Sequence, residues 1–395
     1  MNPASVFAFT CPAKFNSGNK ALEHLPAELA GFNSVKPLVV TSEKTVGRKA
    51  LRTLISSLGD SGMTLGVFDG VTDTADRALI ENLKKTCLEK EYDAIVALGG
   101  GKVADVAKVL NLAVSLKLPD ARRLSTETPV SGRPGRLRPL VLIPTAEADG
   151  LETSGSAHLE GMVFSSMNLA PGLVVIDPRL TRTTNAKALA AAGLAALGRA
   201  VEAHIDPGSN PFRDAYSFTA IRFIMENLPG AVKKPGDTKA CLAIANAAAM
   251  SGCAFSNTGA GAIRLHKLGR VMQEMYDVHP GFVMAMCLPH VLGDCLNNGG
   301  HNLAALFHPL VGDEAFAHTP PEQRAGEVLS LIARLLAGLQ AALGDDMPRT
   351  LKEAGIPLYM MEDILDVLDD DSDGAYLRSV AERIWDKASP AGKKG

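Results

Sequence analysis

The chain predicts an α/β domain built on a parallel sheet, followed by an all-helical domain. Three observations carry this. From about residue 36 to 178, short continuous apolar runs alternate with amphipathic stretches. After Pro178 the strand signals stop and only helical periodicities follow. Within the first rhythm, a triplet of glycines joins the third apolar run directly to a helix. Continuous apolar strands separated by helices mark a parallel sheet covered on both faces.

Taken in order, Pro37-Leu-Val-Val-Thr41 reads as a buried strand, followed by a helical pattern from Val46 to Leu58. Met63 to Phe68 is a second strand and Asp76 to Lys90 a helix with one polar face. Asp93 to Leu98 is a third strand, which runs into the glycines and then the helix Val103 to Leu116. Leu140 to Ile143 and Leu173 to Ile176 complete the set, and the first thirty-odd residues suggest an edge hairpin plus a helix. Beyond Pro178, helices are predicted at 186–204, 212–228, 238–254, 260–276, 283–297, 321–344, 359–368 and 375–388. The helix at 321 has a start signal, with Thr319 to cap, Pro320 and Pro321 in the first turn and Glu322 to complete a capping box. The expected domains are therefore 1–180 and 181–395.

Composition excludes more than it names. The 395 residues are 46% apolar and 21% charged, ordinary for a soluble globular protein, so neither a disordered chain nor a coiled coil fits. Such a length suits two or three domains and needs neither disulfide nor metal for stability. A net charge of −3 argues against a broad electrostatic grip on nucleic acid or an anionic membrane. The opening MNPASVFAFTCPAKF lacks the basic segment and apolar core of a secretory signal. The stretch Ala186 to His204 is interrupted by Lys187 and Arg199, so it reads as a buried helix rather than a membrane span. Six scattered cysteines with no CxxC pair argue against a zinc ribbon or a disulfide framework, and a reducing cytoplasm is the expected compartment.

The strongest local chemistry is Leu98-Gly99-Gly100-Gly101-Lys102, after a strand and before a helix. Three glycines let backbone N–H groups approach a phosphate, and the helix N-terminus behind them carries partial positive charge. Tight strand–helix turns also use glycine; the strand–GGG–helix context is what favours a phosphate. The spacing is not GxGxxG.

The longer string Gly99-Gly-Gly-Lys-Val-Ala-Asp105-Val-Ala-Lys108 resembles the GGGSxxDxAK motif of the iron-containing (group III) alcohol dehydrogenases. Val67-Phe-Asp-Gly-Val71, Leu142-Ile-Pro-Thr145 and Val175-Ile-Asp-Pro178 resemble that family's VFDGV, IPTT and IVDP segments. Gly193 to His204 follows its GMDALTHAIEAY stretch, and Tyr276 to His290 its run into LLPHV. The resemblance covers nearly the whole chain and extends to maleylacetate reductases and dehydroquinate synthases. It implies a dehydroquinate synthase-like fold, with a dinucleotide-binding domain, a helical domain and a metal and substrate site in the cleft between them. It also implies NAD or NADP as cofactor and a homo-oligomer, a dimer, as the assembly.

Carried over residue by residue, Gly99, Gly100, Gly101 and Lys102 would hold the pyrophosphate, with Asp105 and Lys108 supporting the cofactor end. Thr145, Gly150 and Glu152 match the family's TTAGTGSE loop near adenine and ribose, whereas Glu147, Asp149 and Leu151 depart from it. A family lysine is absent near position 161, where Gly161 stands. Ser42 replaces the Asp that often follows Val-Thr in the family and repels the 2′-phosphate of NADP. With Lys44 and Arg48 close behind, NADP is expected to be tolerated, unless Glu43 takes over the role of the Asp.

The family's metal ligands are one Asp and three His, for Fe²⁺ or Zn²⁺. They align with Ala195, Arg199, His266 and Pro280, so one of the four survives in register. A guanidinium is permanently charged and cannot ligate a cation. A rebuilt site would have to draw on His266 and His279 with Glu202 or His204, yet the last two stand about 200° apart around a helix. The substitutions suggest a cationic pocket instead, in which Arg199 and Arg270, with His266, act on a carbonyl or hold an anionic group. Arg264 and Lys267 fit a solvated face equally well. Asp369 to Gly374 copies the start of an EF-hand loop, but Val380 stands where its bidentate glutamate should be.

The expected function is therefore NAD(P)-dependent interconversion of a small alcohol with an aldehyde, ketone or keto acid. The alternative is a homologue that binds a nucleotide without turnover. Neither nucleic acid nor membrane is an expected partner.

Overall fold

Four runs of consecutive apolar residues become strands buried along their whole length: β2 (Pro37–Thr41), β4 (Ala94–Leu98), β5 (Leu140–Ile143) and β8 (Leu173–Ile176). With β1 (Lys14–Ser17) and β3 (Gly66–Phe68) they form a parallel sheet of order β1-β8-β5-β4-β2-β3. Alternate side chains explain why both faces had to be apolar. Leu38, Val40, Ile95, Ala97 and Leu142 share one core with helices α3 (Arg77–Glu89) and α4 (Gly101–Ser115). Val39, Val96, Leu98, Val141 and Ile143 share the other with α1 (Leu25–Gly31) and α2 (Glu43–Ser57). A short α5 (Pro178–Thr181) ends this part.

The computed structural model describes residues 6–72, 74–123, 137–146, 149–183, 185–206, 208, 210–258, 265–299, 301–368 and 374–386. The chain divides into two units, Thr10–Arg182 and Thr183–Gly395 together with Met1–Phe9. The α/β unit thus begins at Thr10 rather than at residue 1. Phe9 lies with the helical unit because its ring stacks on Phe212 at 5.9 Å and meets Tyr216 at 5.3 Å.

Three local expectations are corrected. Among its described residues the N-terminal segment forms no hairpin: β1 is an edge strand parallel to β8, with Lys14 opposite Leu173. The second strand is confined to Gly66–Phe68. An unforeseen antiparallel pair, β6 (Ser156–Leu159) and β7 (Met162–Ser165), turns at Glu160 and Gly161 with φ of 50° and 71°. A two-residue turn with both φ positive matches strand twist, and Gly161 serves that turn.

The topology locates a site before any side chain is considered. From β2 the chain moves outward to β3, but from β4 it moves the other way, to β5. Connections leaving neighbouring strands in opposite directions open a crevice at their carboxyl ends.

The helical unit contains α6 (Ala186–Ile205), α7 (Pro211–Lys233), α8 (Thr238–Phe255), α9 (Leu265–Tyr276), α10 (Pro280–Asn297), α11 (His301–Ala304), α12 (Phe307–His318), α13 (Pro321–Leu343), α14 (Met361–Leu368) and α15 (Gly374–Asp386). By length and composition α6 could cross a membrane, but it is 94% buried within the protein. Helix α13 passes the same test and is only 22% buried, and Arg324, Glu327 and Arg334 interrupt it. Thr319 closes α12 instead of capping α13; its Oγ1 donates to the Ala315 carbonyl, and Pro320 stands at the N-cap. The acidic stretch 369–373 and Arg264 lie outside the described residues.

Candidate functional site

The α/β crevice is lined by the glycines. Gly99 and Gly101 have φ of 147° and 45°, conformations that favour glycine, and a Cβ at Gly99 would meet Val103 at 3.1 Å. Gly99 N–H donates to the Ile143 carbonyl at 3.0 Å, and Thr41 Oγ1 donates to the Leu98 carbonyl at 2.7 Å, so the ends of β2, β4 and β5 are tied together. Gly100 is the N-cap of α4 and has no side chain to cap it. The first amides of a helix lack carbonyl partners within it, so this end is suited to an anion. Half-buried Lys102 stands in the first turn. Ser42 follows β2 and is 6% exposed; Thr145 follows β5 and is 4% exposed. Thr145 Oγ1 is buried without a hydrogen-bond partner among the described residues. The side chains of Glu43, Lys44 and Arg48, and residue Glu147, lie outside the described set.

Asp105 and Lys108 are both fully buried. Asp105 Oδ1 lies 4.0 Å from His158 Nδ1, and Lys108 Nζ is spent on acceptors of the 151–156 segment.

In the helical unit, four polar side chains share one seam. Glu202 on α6 is fully buried; its Oε1 accepts the His266 backbone N–H at 3.1 Å, and its Oε2 lies 3.5 Å from His266 Nδ1. The carboxylate therefore caps the start of α9, where the helix dipole favours negative charge. The Phe255 ring meets His266 edge-on at 4.4 Å and fixes the imidazole from another side. Arg199 stands three residues before Glu202 and Arg270 four after His266, spacings that share a helix face. The Glu202–His266 contact joins those two faces. Arg199 is 1% exposed and Arg270 8%; Arg270 Nη1 donates to Gln273 Oε1 at 3.2 Å. Lys267 is half-buried.

The donor set does not fit the family metal. Among the described residues no three His, Cys, Asp or Glu side chains come together to hold an ion. His279 is the N-cap of α10, its Nδ1 accepting from Gly281 N–H at 3.1 Å. His204 is held by Asp214 at 3.2 Å and the Asn302 carbonyl at 2.5 Å, away from Glu202 as the helix geometry required. Burial pushes the Cys287 thiol up, and the Glu202 carboxylate adds to it. Arg199 places a permanent cation where the resemblance puts a ligand. Sequence reasoning missed the role of Glu202 as the anchor of α9; a carboxylate inside an apolar helix was its one visible sign.

Buried guanidinium groups and an imidazole carried on these two helices can do two things: stabilise negative charge on an oxygen, or bind an anionic group.

Comparison with known proteins agrees with the ordered motifs. Residues 12–178 match the family model of iron-containing alcohol dehydrogenase, and residues 189–369 match that of the family's C-terminal part. The NAD-dependent methanol dehydrogenase of Bacillus methanolicus is 26% identical over 356 residues, 88% of this chain and 87% of that protein. An alcohol dehydrogenase of Thermococcus barophilus is 30% identical over 290 residues, 66% of this chain and 75% of the other. Among solved structures, a 1,3-propanediol oxidoreductase superposes with a TM-score of 0.83 at 22% identity, covering 96% of this chain and 100% of that one. Both halves of the chain, and the glycine loop between β4 and α4, thus place it in the iron-containing alcohol dehydrogenase family.

Proposed function

We propose that this protein is an NAD(P)-dependent oxidoreductase of the alcohol dehydrogenase type that works without the family's metal. The observation that carries the reading is the uncapped, glycine-rich start of α4 at the carboxyl-end crevice of β2 and β4. Gly99, Gly100, Gly101 and Lys102 would hold the pyrophosphate, with Ser42 and Thr145 flanking it on the neighbouring strand ends. A bound nicotinamide supplies or accepts the hydride. The chain must then stabilise charge on the substrate oxygen, which Arg199 and Arg270 do by fixed positive potential, with His266 to move a proton. Family membership and the NAD dependence named for the Bacillus methanolicus relative support the cofactor class. Small alcohols, aldehydes or keto acids are the substrate class, and a homodimer in the cytoplasm is the working form we infer.

The test is oxidation of NADH and NADPH over a panel of aldehydes, ketones and keto acids, with wild type and Arg199→Met. Turnover that falls at least tenfold in the variant, with nucleotide binding retained, supports the assignment. Nucleotide binding with no turnover on any carbonyl would favour the binding-only reading, which the Gly161 turn in place of the family lysine also suggests.

A further inference from the structure

We propose that Glu202 is a positioning residue for His266: its buried carboxylate holds the proton of the neutral imidazole on Nδ1 and leaves the Nε2 lone pair to take a proton from an alcohol. The inference rests on the oxidoreductase reading above and names the atom that moves the proton.

The pair joins two helices of one unit. Glu202 stands in α6 with no exposed surface, and both of its oxygens approach one residue of α9. Oε1 accepts the His266 backbone N–H at 3.1 Å, and Oε2 lies 3.5 Å from His266 Nδ1. One carboxylate thus meets both the main chain and the ring of His266, which limits how far the ring can turn away from it. The Phe255 ring, at the end of α8, meets the imidazole edge-on at 4.4 Å and offers neither donor nor acceptor.

The place of the proton follows from what each atom lacks. Glu202 Oε2 and His266 Nδ1 are both buried, and neither has a hydrogen-bond partner among the described residues. A neutral imidazole carries one N–H, and an ionised carboxylate only accepts. With the proton on Nδ1, a single N–H···O bond satisfies both buried atoms. With it on Nε2, two acceptors face each other out of water and both stay unpaired, which burial penalises. The start of α9 suits a negative group, since the helix dipole is positive there. At 3.5 Å the contact is long, as catalytic hydrogen bonds often are before substrate binds.

Nε2 is the ring nitrogen left to a substrate. The His266 side chain keeps 11% exposure although Nδ1 is buried, so its open edge lies elsewhere on the ring. In alcohol oxidation the hydride leaves the carbinol carbon for the oxidised nicotinamide cofactor, and the hydroxyl proton passes to Nε2 as the C=O bond forms. The imidazolium keeps its Nδ1 proton on Glu202 and releases the Nε2 proton to water. Carbonyl reduction runs these steps in reverse.

The experiment uses the full chain with isotope-labelled histidine and compares wild type with Glu202→Gln. The glutamine carbonyl can still accept the His266 backbone N–H, but its amide donates to Nδ1 and moves the ring proton to Nε2. Nitrogen NMR at a pH where the ring is neutral reads the tautomer, with the signals assigned by their loss in His266→Ala. We expect Nδ1–H in wild type and Nε2–H in Glu202→Gln. We also expect kcat for alcohol oxidation to fall about 100-fold or more in the variant, with Kd for NADH and NADPH changed less than about twofold. Wild type in the Nε2–H form overturns the proposal, and that result needs no variant to fold. A shifted tautomer with unchanged kcat also overturns it, as does a lower kcat with an unshifted tautomer, the mark of a merely structural role. Wild type that holds Nδ1–H but oxidises no alcohol overturns the functional reading and this proposal with it. The NMR result distinguishes that outcome from failure of the Glu202–His266 pair.

Discussion

Gly100→Val separates phosphate binding from folding. Gly100 has φ −126° and ψ −169°, extended backbone open to any residue, so valine needs no backbone change. Glycine is a modestly good N-cap and valine a poor one, which sets the stability cost at about 1 kcal/mol or less. The effect on affinity is larger. An isopropyl group at the N-cap stands over the first amides of α4, and losing one hydrogen bond from such an amide to an ionised phosphate costs about 1.5–3 kcal/mol. That is roughly a 10- to 100-fold rise in Kd. Calorimetric titration with NADH and NADPH measures it, and thermal unfolding checks that the variant is folded. Gly101→Ala is the contrast: φ of 45° makes it lose about 1–2 kcal/mol of stability through backbone strain alone. A folded Gly100→Val protein with wild-type affinity would refute the assignment of the loop.

Other outcomes follow from the same geometry. Ser42→Asp should weaken NADPH binding tenfold or more while sparing NADH, because it restores a negative charge at the end of β2; wild type that already rejects NADPH by tenfold (~1.4 kcal/mol) contradicts this. Gly281→Ala should cost about 3 kcal/mol or leave the protein insoluble, since its Cβ would strike the Ala191 carbonyl and lie 2.9 Å from Ala195 N; chemical denaturation measures it. Asp294 is paired with Arg383 at 2.9 and 2.7 Å and accepts from the Tyr376 hydroxyl at 2.8 Å. Arg383 first, then Tyr376, holds this carboxyl below its usual range against the opposing effect of burial. A depressed folded-state pKa stabilises above the unfolded value of about 4 and is lost as pH falls through the folded one. Asp294→Asn should therefore be less stable at pH 7, by about 1 kcal/mol because the pair is partly solvent-screened, with the gap closing in acid. Denaturation at several pH values tests it.

The parallel sheet was legible because β2, β4, β5 and β8 are buried on both faces and so read as unbroken apolar runs. Strand β1 was not, since three of its four residues are exposed and its only partner is β8, more than 150 positions away. The glycine loop was readable because three residues without side chains stand directly between a strand and a helix. The inward turn of Lys108 was hidden because its partners are mostly main-chain carbonyls 43 to 48 residues on, and carbonyls leave no mark in a sequence. The capping bond of His279 was not legible either, because its partner is the backbone N–H of Gly281. One departure from the family's ligand set is legible in the sequence itself, as a guanidinium at position 199 cannot ligate a cation.

The central claim is that hydride chemistry proceeds here with guanidinium groups in place of the family metal. Elemental analysis of the purified protein, combined with the rate of NAD(P)H-dependent carbonyl reduction before and after exhaustive chelation, tests it most directly. The account predicts well under one equivalent of Fe or Zn and a rate that chelation leaves unchanged. Near-stoichiometric metal, lost together with turnover on chelation and in His266→Ala, would contradict it.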